Sequence, residues 1–222
     1  MSGSGSEVVR RVAEQRLVAV VVIDDSRQAQ PLGETLAEAG LTCVEVTLRT
    51  GAALESLRVL AQRPELSVGA GTVLTARQVD EVVDAGARFV VSPGTSAVTV
   101  RACQTAGVPI FPGVATATEI QLALELGVDT LKFFPAESLG GVASLSALSG
   151  PFPEVRFIPT GGIGPATLAG YLAHPSVLAV GGSWMATRAM LHGRDFAAIG
   201  RQAAAAVRAV AAAARSLSRP ST

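Results

Sequence analysis

The chain has 222 residues and is poor in the groups that metal, redox and nucleic-acid functions draw on. Its two cysteines, Cys43 and Cys103, lie far apart with no CxxC pair, and its two histidines, His174 and His192, have no metal-ligand spacing. A structural disulfide and a zinc site are therefore unsupported, and neither a metal nor a cofactor is expected. Charge is sparse and balanced, with 18 basic and 18 acidic residues and no basic stripe, so no phosphate-backbone footprint for DNA or RNA is present. Long apolar runs are missing too. The longest early one, Leu17 to Ile23, is too short for a bilayer, and the polar start Met-Ser-Gly-Ser-Gly-Ser-Glu has no basic n-region. No membrane contact is expected, and the cytoplasm is the expected compartment.

Lysine is the scarcest charged residue. Of the 18 basic residues 17 are arginine, and Lys132 is the single lysine. Compositional bias accounts for the missing lysines, but not for the placement of the survivor in an apolar run, Thr130-Leu-Lys-Phe-Phe-Pro135. A primary amine attacks a ketone only after losing its proton, and burial among apolar groups disfavours the ammonium form. An amine at the centre of a strand is costly unless something uses it. Schiff-base chemistry is the favoured use, with a structural role as the alternative.

At 49% hydrophobic and 16% charged, the chain can bury a sizeable core and is not of disordered composition. Its length suits one domain over residues 1–222, with a flexible lead at 1–6 and a frayed tail at 216–222 after an alanine-rich helix around 195–215. Short β-rich runs recur at 17–23, 43–49, 67–73, 89–94, 109–114, 130–136, 156–162 and 177–184. Helix-like stretches lie between them, several ending at glycine: Gly40, Gly86, Gly107 and Gly127. Strand alternating with helix implies a parallel sheet. Eight such units predict an α/β fold of the (β/α)8 TIM-barrel type, with an open doubly wound sheet as the alternative.

In such a barrel the reacting groups sit at the C-terminal strand ends. The second run, Cys43-Val-Glu-Val-Thr-Leu-Arg49, alternates so that Cys43, Glu45, Thr47 and Arg49 share a polar face, expected to point inward, while Val44, Val46 and Leu48 face the helices. The same alternation puts Lys132 on a face with Thr130 and Phe134, across the interior from Glu45. Glu45 beside Arg49 can be read as an internal ion pair without function. It can also be read as a proton carrier beside a clamp for a substrate carboxylate. An amine, a proton carrier and an anion clamp together are what a lyase of the aldolase type needs. Glycine-rich segments close the last two runs, Thr160-Gly-Gly-Ile-Gly-Pro165 and Val180-Gly-Gly-Ser-Trp184, where backbone amides can hold a phosphate or merely allow tight turns. Trp184 is expected to pack beneath that loop. Gly69-Ala-Gly-Thr72 and Ser92-Pro-Gly94 end two further runs with small residues, leaving room for a ligand or forming simple turns.

With these segments in hand, the chain resembles the aldolases of 2-keto-3-deoxy-6-phosphogluconate and 4-hydroxy-2-oxoglutarate from about residue 12 to residue 210. The resemblance rests on Glu45-Val-Thr-Leu-Arg-Thr50, Gly69-Ala-Gly-Thr-Val73, Ser92-Pro-Gly94, Lys132-Phe-Phe-Pro-Ala-Glu137, Pro159-Thr-Gly-Gly-Ile163 and Gly181-Gly-Ser-Trp184, in the family's order and spacing. It implies that Lys132 forms a Schiff base and that Glu45 is the general acid and base. It also implies that Arg49, Thr72 and Pro93 contact the pyruvate portion with Phe134 alongside, that Thr160 influences stereochemistry, and that Gly161, Gly162 and Ser183 hold the phosphate. A small-molecule substrate, a homotrimer and a metal-free mechanism follow from the same likeness. Departures fall where some relatives carry an arginine at the end of strand one, here Val22-Ile-Asp-Asp25, and at Ser138-Leu139. Substrate preference among the phosphogluconate, phosphogalactonate and hydroxy-oxoglutarate forms stays open. So do an isomerase or epimerase, a metal-dependent aldolase and a non-catalytic barrel that binds phosphorylated ligands.

Overall fold

The structure is a computed structural model and describes residues 3–217. Every expected β-rich run contains strand, and each strand is shorter than its run. They are β1 (Leu17–Val21), β2 (Cys43–Thr47), β3 (Ser67–Gly71), β4 (Phe89–Val91), β5 (Ile110–Phe111), β6 (Gly113–Val114), β7 (Thr130–Phe133), β8 (Arg156–Phe157) and β9 (Val180–Gly182). Proline explains much of the shortening, because it has no N–H to give to a ladder. Pro112 divides one expected run into β5 and β6, Pro135 follows β7, and Pro159 follows β8.

Helices alternate with the strands: α1 (Gly3–Gln15), α2 (Ala29–Glu38), α3 (Ala53–Ala61), α4 (Ala76–Asp84), α5 (Ala97–Ala106), α6 (Ala117–Glu125), α7 (Gly141–Ser149), α8 (Pro165–Ala173), α9 (Arg188–His192) and α10 (Phe196–Leu217). Side-chain oxygens of Thr75, Ser96 and Thr116 cap α4, α5 and α6, satisfying amides that a helix start leaves open. Gly40, Gly86, Gly107 and Gly127 all have positive φ at or just past helix ends, as the sequence predicted. Two expectations about the termini change. The lead expected to be flexible at 1–6 is helical from Gly3, and helix α10 runs through the start of the expected tail to Leu217. Met1, Ser2 and residues 218–222 lie outside the described residues.

All strand pairings are parallel, in the orders β5-β4-β3-β2-β1-β9 and β6-β7-β8. Sequential neighbours pair along the run from β1 to β5, without the reversal of order that defines a doubly wound sheet. Isolated bridges join Phe157 to Val177 and Thr160 to Gly181, linking the β8 side to the β9 side.

The alternation of side chains divides the core in two. Val44, Val46, Leu17, Ala19 and Val21 point outward into the packing against the helices. Val18, Cys43, Phe89, Val91, Phe111 and Ile158 point the other way and pack on one another. The Phe89 and Phe111 rings meet at 5.6 Å between centroids, a tilted contact worth about 0.5–1.5 kcal/mol beyond its buried area. Helix α1 closes this inner cluster with Val8 and Val12, one turn apart on the same face. Cys43 and Cys103 are both free, and burial pushes each thiol up to about 12. Among the described residues no helix is long and apolar enough to cross a membrane.

Candidate active site

Glu45 is the middle residue of β2 and Lys132 the third of β7, and side-chain alternation brings them together from the six-stranded and the three-stranded sheet. Lys132 Nζ donates to Glu45 Oε1 at 3.2 Å, with 8% and 4% of the two side chains exposed. Taking either charge out of water alone would cost several kcal/mol, so each is the other's compensation. Parallel pairing aligns Lys132 with Gly113 and Glu45 with Gly69, placing small residues beside both. Below the pair the interior leaves only about 10 Å³, bounded by Phe89, Phe111, Ile158 and Thr160, about enough for one water. The Phe134 ring lies 5.1 Å from Nζ at its centroid, within range of a cation–π attraction.

The ion pair of Glu45 with Arg49 is replaced by the one with Lys132. Strand β2 ends at Thr47, so alternation no longer governs Arg49; its side chain is exposed and makes no ion pair among the described residues. The stretch after β2 is instead tied to the end of β1, Thr47 Oγ1 donating to Val21 O at 3.1 Å and Thr50 Oγ1 to Ile23 O at 2.5 Å.

Thr72 follows β3 at φ +59°, an uncommon conformation for a β-branched residue and one that stores of order 1–3 kcal/mol. Pro93 follows β4 and is exposed. Its carbonyl is so close to Gly113 that any Cβ there would overlap it. Thr160 is buried, its hydroxyl donating to Ile158 O at 3.3 Å. Gly161 and Gly162 continue the chain at φ +105° and +79°, values that exclude most other residues, and their amides donate no hydrogen bond among the described residues. Ser183 is exposed beyond β9, while the half-buried Trp184 ring packs against Gly182, as expected, so closely that only glycine fits.

Three arrangements at this end of the sheet escaped the sequence reading. Gly71, ending β3, lies where a Cβ would overlap Glu45 Oε1. Tyr171 donates to Glu137 Oε1 at 2.5 Å, and burial, with Glu137 adding to it, raises the phenol's pKa. Arg188 forks onto Asp24 with two contacts of 2.5 Å and His192 adds one of 2.8 Å; the Arg188 hydrogen bond foremost holds the Asp24 carboxyl down at about 2. This clamp ties the loop after β1 to the segment that follows β9. Among the described residues no group of His, Cys, Asp and Glu converges as metal ligands would.

Gly71 makes the first prediction. Gly71→Ala should drive Glu45 from its place, lowering turnover by roughly 10²-fold, the scale of a 1 Å misplacement, while stability falls by about 1–3 kcal/mol. Steady-state rates with a melting curve check this; wild-type turnover would mean that the position of Glu45 is unimportant.

The family described as "Aldolase: KDPG and KHG aldolase" matches residues 8–202. The chain belongs to the KDPG and KHG aldolase family. A 2-dehydro-3-deoxy-phosphogluconate aldolase of Treponema pallidum is 47% identical over 194 residues, covering 87% of this chain and 91% of the relative. A 2-keto-3-deoxy-6-phosphogluconate aldolase of Zymomonas mobilis, solved with 3-phosphoglycerate, superposes with a TM-score of 0.85 at 41% identity, covering 90% of this chain and 94% of that one. A KDPG aldolase of Legionella pneumophila, solved with pyruvate captured as a covalent carbinolamine intermediate, gives 0.86 at 39% identity, with 92% and 98% covered. As a KDPG and KHG aldolase family member, the chain is a carbon–carbon lyase.

Proposed function

We propose that this protein is a class I aldolase that cleaves 2-keto-3-deoxy-6-phosphogluconate to pyruvate and glyceraldehyde 3-phosphate, working from one closed (β/α)8 barrel. The observation that carries the reading is the solitary lysine held 3.2 Å from Glu45 in the interior. Closure of the barrel is supported by the run shared between β5 and β6 on one side and by the bridges near β8 and β9 on the other. A homotrimer in the cytoplasm fits the family likeness. Assembly would also cover the exposed Leu74 and Val98.

In the proposed reaction Lys132 passes its proton to Glu45, whose oxygen is already at hydrogen-bond distance. The freed amine adds to the C2 ketone, and loss of water leaves a protonated imine. Arg49, exposed and without an ion pair, takes the substrate carboxylate, with Thr72, Pro93 and Phe134 around the pyruvate portion. Glu45, directly or through water, removes the C4 hydroxyl proton. The C3–C4 bond breaks, its electrons pass into the imine to give an enamine, and the aldehyde departs. Glu45 then helps protonate C3, and hydrolysis of the imine releases pyruvate and regenerates the amine. Gly161 and Gly162, with amides unspent within the chain, and Ser183 hold the phosphate, while Thr160 bears on stereochemistry.

A coupled assay of pyruvate release tests this across the phosphogluconate, phosphogalactonate and hydroxy-oxoglutarate substrates. Both phosphorylated forms should give a higher kcat/KM than hydroxy-oxoglutarate, because only they use the glycine cradle. No pyruvate from any of the three would end the proposal.

A further inference from the structure

Gly161 and Gly162 sit at positive φ and carry no side chain that could anchor them, so their neighbours must hold the two amides in place. Those neighbours are the residues just after β7. Ala136 N donates to Thr160 O at 2.8 Å and Glu137 N to Gly161 O at 3.0 Å, so the two segments run side by side. The stem of Glu137 lies against Gly162: a Cβ on that glycine would stand 2.7 Å from Glu137 Cβ and 3.0 Å from its Cγ.

Glu137 is fixed in turn from the core. It is half-buried in a short 3-10 turn, Glu137–Leu139, and its carboxylate has one hydrogen-bond partner among the described residues. That partner is the Tyr171 hydroxyl, which donates to Oε1 at 2.5 Å. Tyr171 is fully buried, its ring packed in the outer core. Burial, with Glu137 adding to it, raises the phenol's pKa, so the proton stays on the tyrosine and the bond keeps one direction. Helix α8 begins directly after the cradle at Pro165, and Tyr171 lies about two turns along it, where a long side chain points back toward the helix start. Cradle, α8, Tyr171 and Glu137 thus form a closed circuit.

We infer that Tyr171 and Glu137 are positioning residues for the substrate phosphate: the buried hydroxyl holds the Glu137 carboxylate, and Glu137 holds Gly161 and Gly162 where their amides meet the phosphate oxygens. This role rests on the proposed seat of the phosphate at the cradle. The hydrogen bond also governs charge. Bound to Tyr171, the Glu137 carboxylate is drawn toward α8; released, it is free to swing toward the cradle, where it would repel a phosphate.

Inorganic phosphate titrated into the full chain, followed at the Gly161 and Gly162 amide resonances, reads the cradle without any turnover. Tyr171→Phe removes one hydroxyl from a ring that keeps its packing, and Glu137→Ala breaks the same contact from the half-buried side, where folding is least at risk. Each should weaken phosphate binding by roughly tenfold, the scale of one charge-assisted hydrogen bond, and raise KM for 2-keto-3-deoxy-6-phosphogluconate by a like factor with kcat nearly constant. Glu137→Gln keeps an oxygen that accepts from Tyr171 and should bind phosphate within about threefold of the wild type. Pyruvate carries no phosphate, so its trapping on Lys132 by borohydride should proceed alike in the wild type and the variants. Equal phosphate binding in the wild type, Tyr171→Phe and Glu137→Ala overturns the inference, as do unmoved Gly161 and Gly162 signals in the wild type. A Glu137→Gln as weak as Glu137→Ala overturns it too, and so does a loss of pyruvate trapping that matches the loss of phosphate binding, the mark of general disruption. A wild type that traps no pyruvate ends the aldolase reading instead, and the phosphate titration still decides the role of the Tyr171 to Glu137 contact.

Discussion

Replacing Lys132 by arginine is expected to lower turnover by roughly 10⁴-fold or more, about 5 kcal/mol of barrier, in a protein that still folds. Arginine keeps a positive charge beside Glu45, so the 3.2 Å ion pair has a successor and the interior is not left with a lone carboxylate. What arginine cannot do is give up its proton and attack a ketone. The observed role of Lys132 as charge partner and its proposed role as nucleophile are thereby separated. Retention of a cooperative melt together with the loss of rate identifies the nucleophile as the missing part. An isomerase or epimerase working through carboxylates would tolerate the retained charge, so near-normal turnover in this variant would favour that chemistry instead.

Glu45→Gln should lower turnover by about 10²–10⁴-fold, the range of a positioned general acid and base, with much less change in pyruvate binding. Glutamine has nearly the same shape, and its Oε1 can still accept from Lys132, so the interior around Gly71 and Phe89 keeps its packing. It cannot take up a proton. Imine formation, cleavage and enamine protonation should all slow, while the contact with the pyruvate carboxylate, proposed for Arg49, should be untouched. A drop in kcat with KM for pyruvate-forming substrate nearly constant is the signature. A raised KM with kcat unchanged would instead mean that Glu45 serves binding.

Much of this site was legible before any coordinates because period-two alternation is strict inside a strand. Glu45 and Lys132 were each assigned to the inner face from their own neighbours, and the structure joins them. The same rule failed for Arg49 because its strand stops at Thr47, and a bend frees the side chain from the alternation. Strand termination was hard to read: prolines at 112, 135 and 159 end or divide strands whose apolar pattern continues past them. Helix α1 was missed because its polar glycine- and serine-rich start resembles a linker. Its evidence was the spacing of Val8 and Val12, which seals the floor of the interior. Gly71 and the Asp24–Arg188 clamp had no local signal at all, since they depend on residues distant in sequence meeting in space.

The doubly wound order is not found, and strand order is a property of pairing rather than of composition. Glycine at 161 and 162 was legible as a turn, and the backbone angles supply the physical reason that other residues are unsuited there.

The most direct measurement is reduction with borohydride in the presence of pyruvate, followed by peptide mass spectrometry. The account predicts one pyruvate-derived adduct per chain, on Lys132, absent from Lys132→Arg and slowed in Glu45→Gln. A folded wild-type protein that acquires no adduct, or acquires it at the chain's α-amine instead, would contradict the claim that this buried amine is the nucleophile.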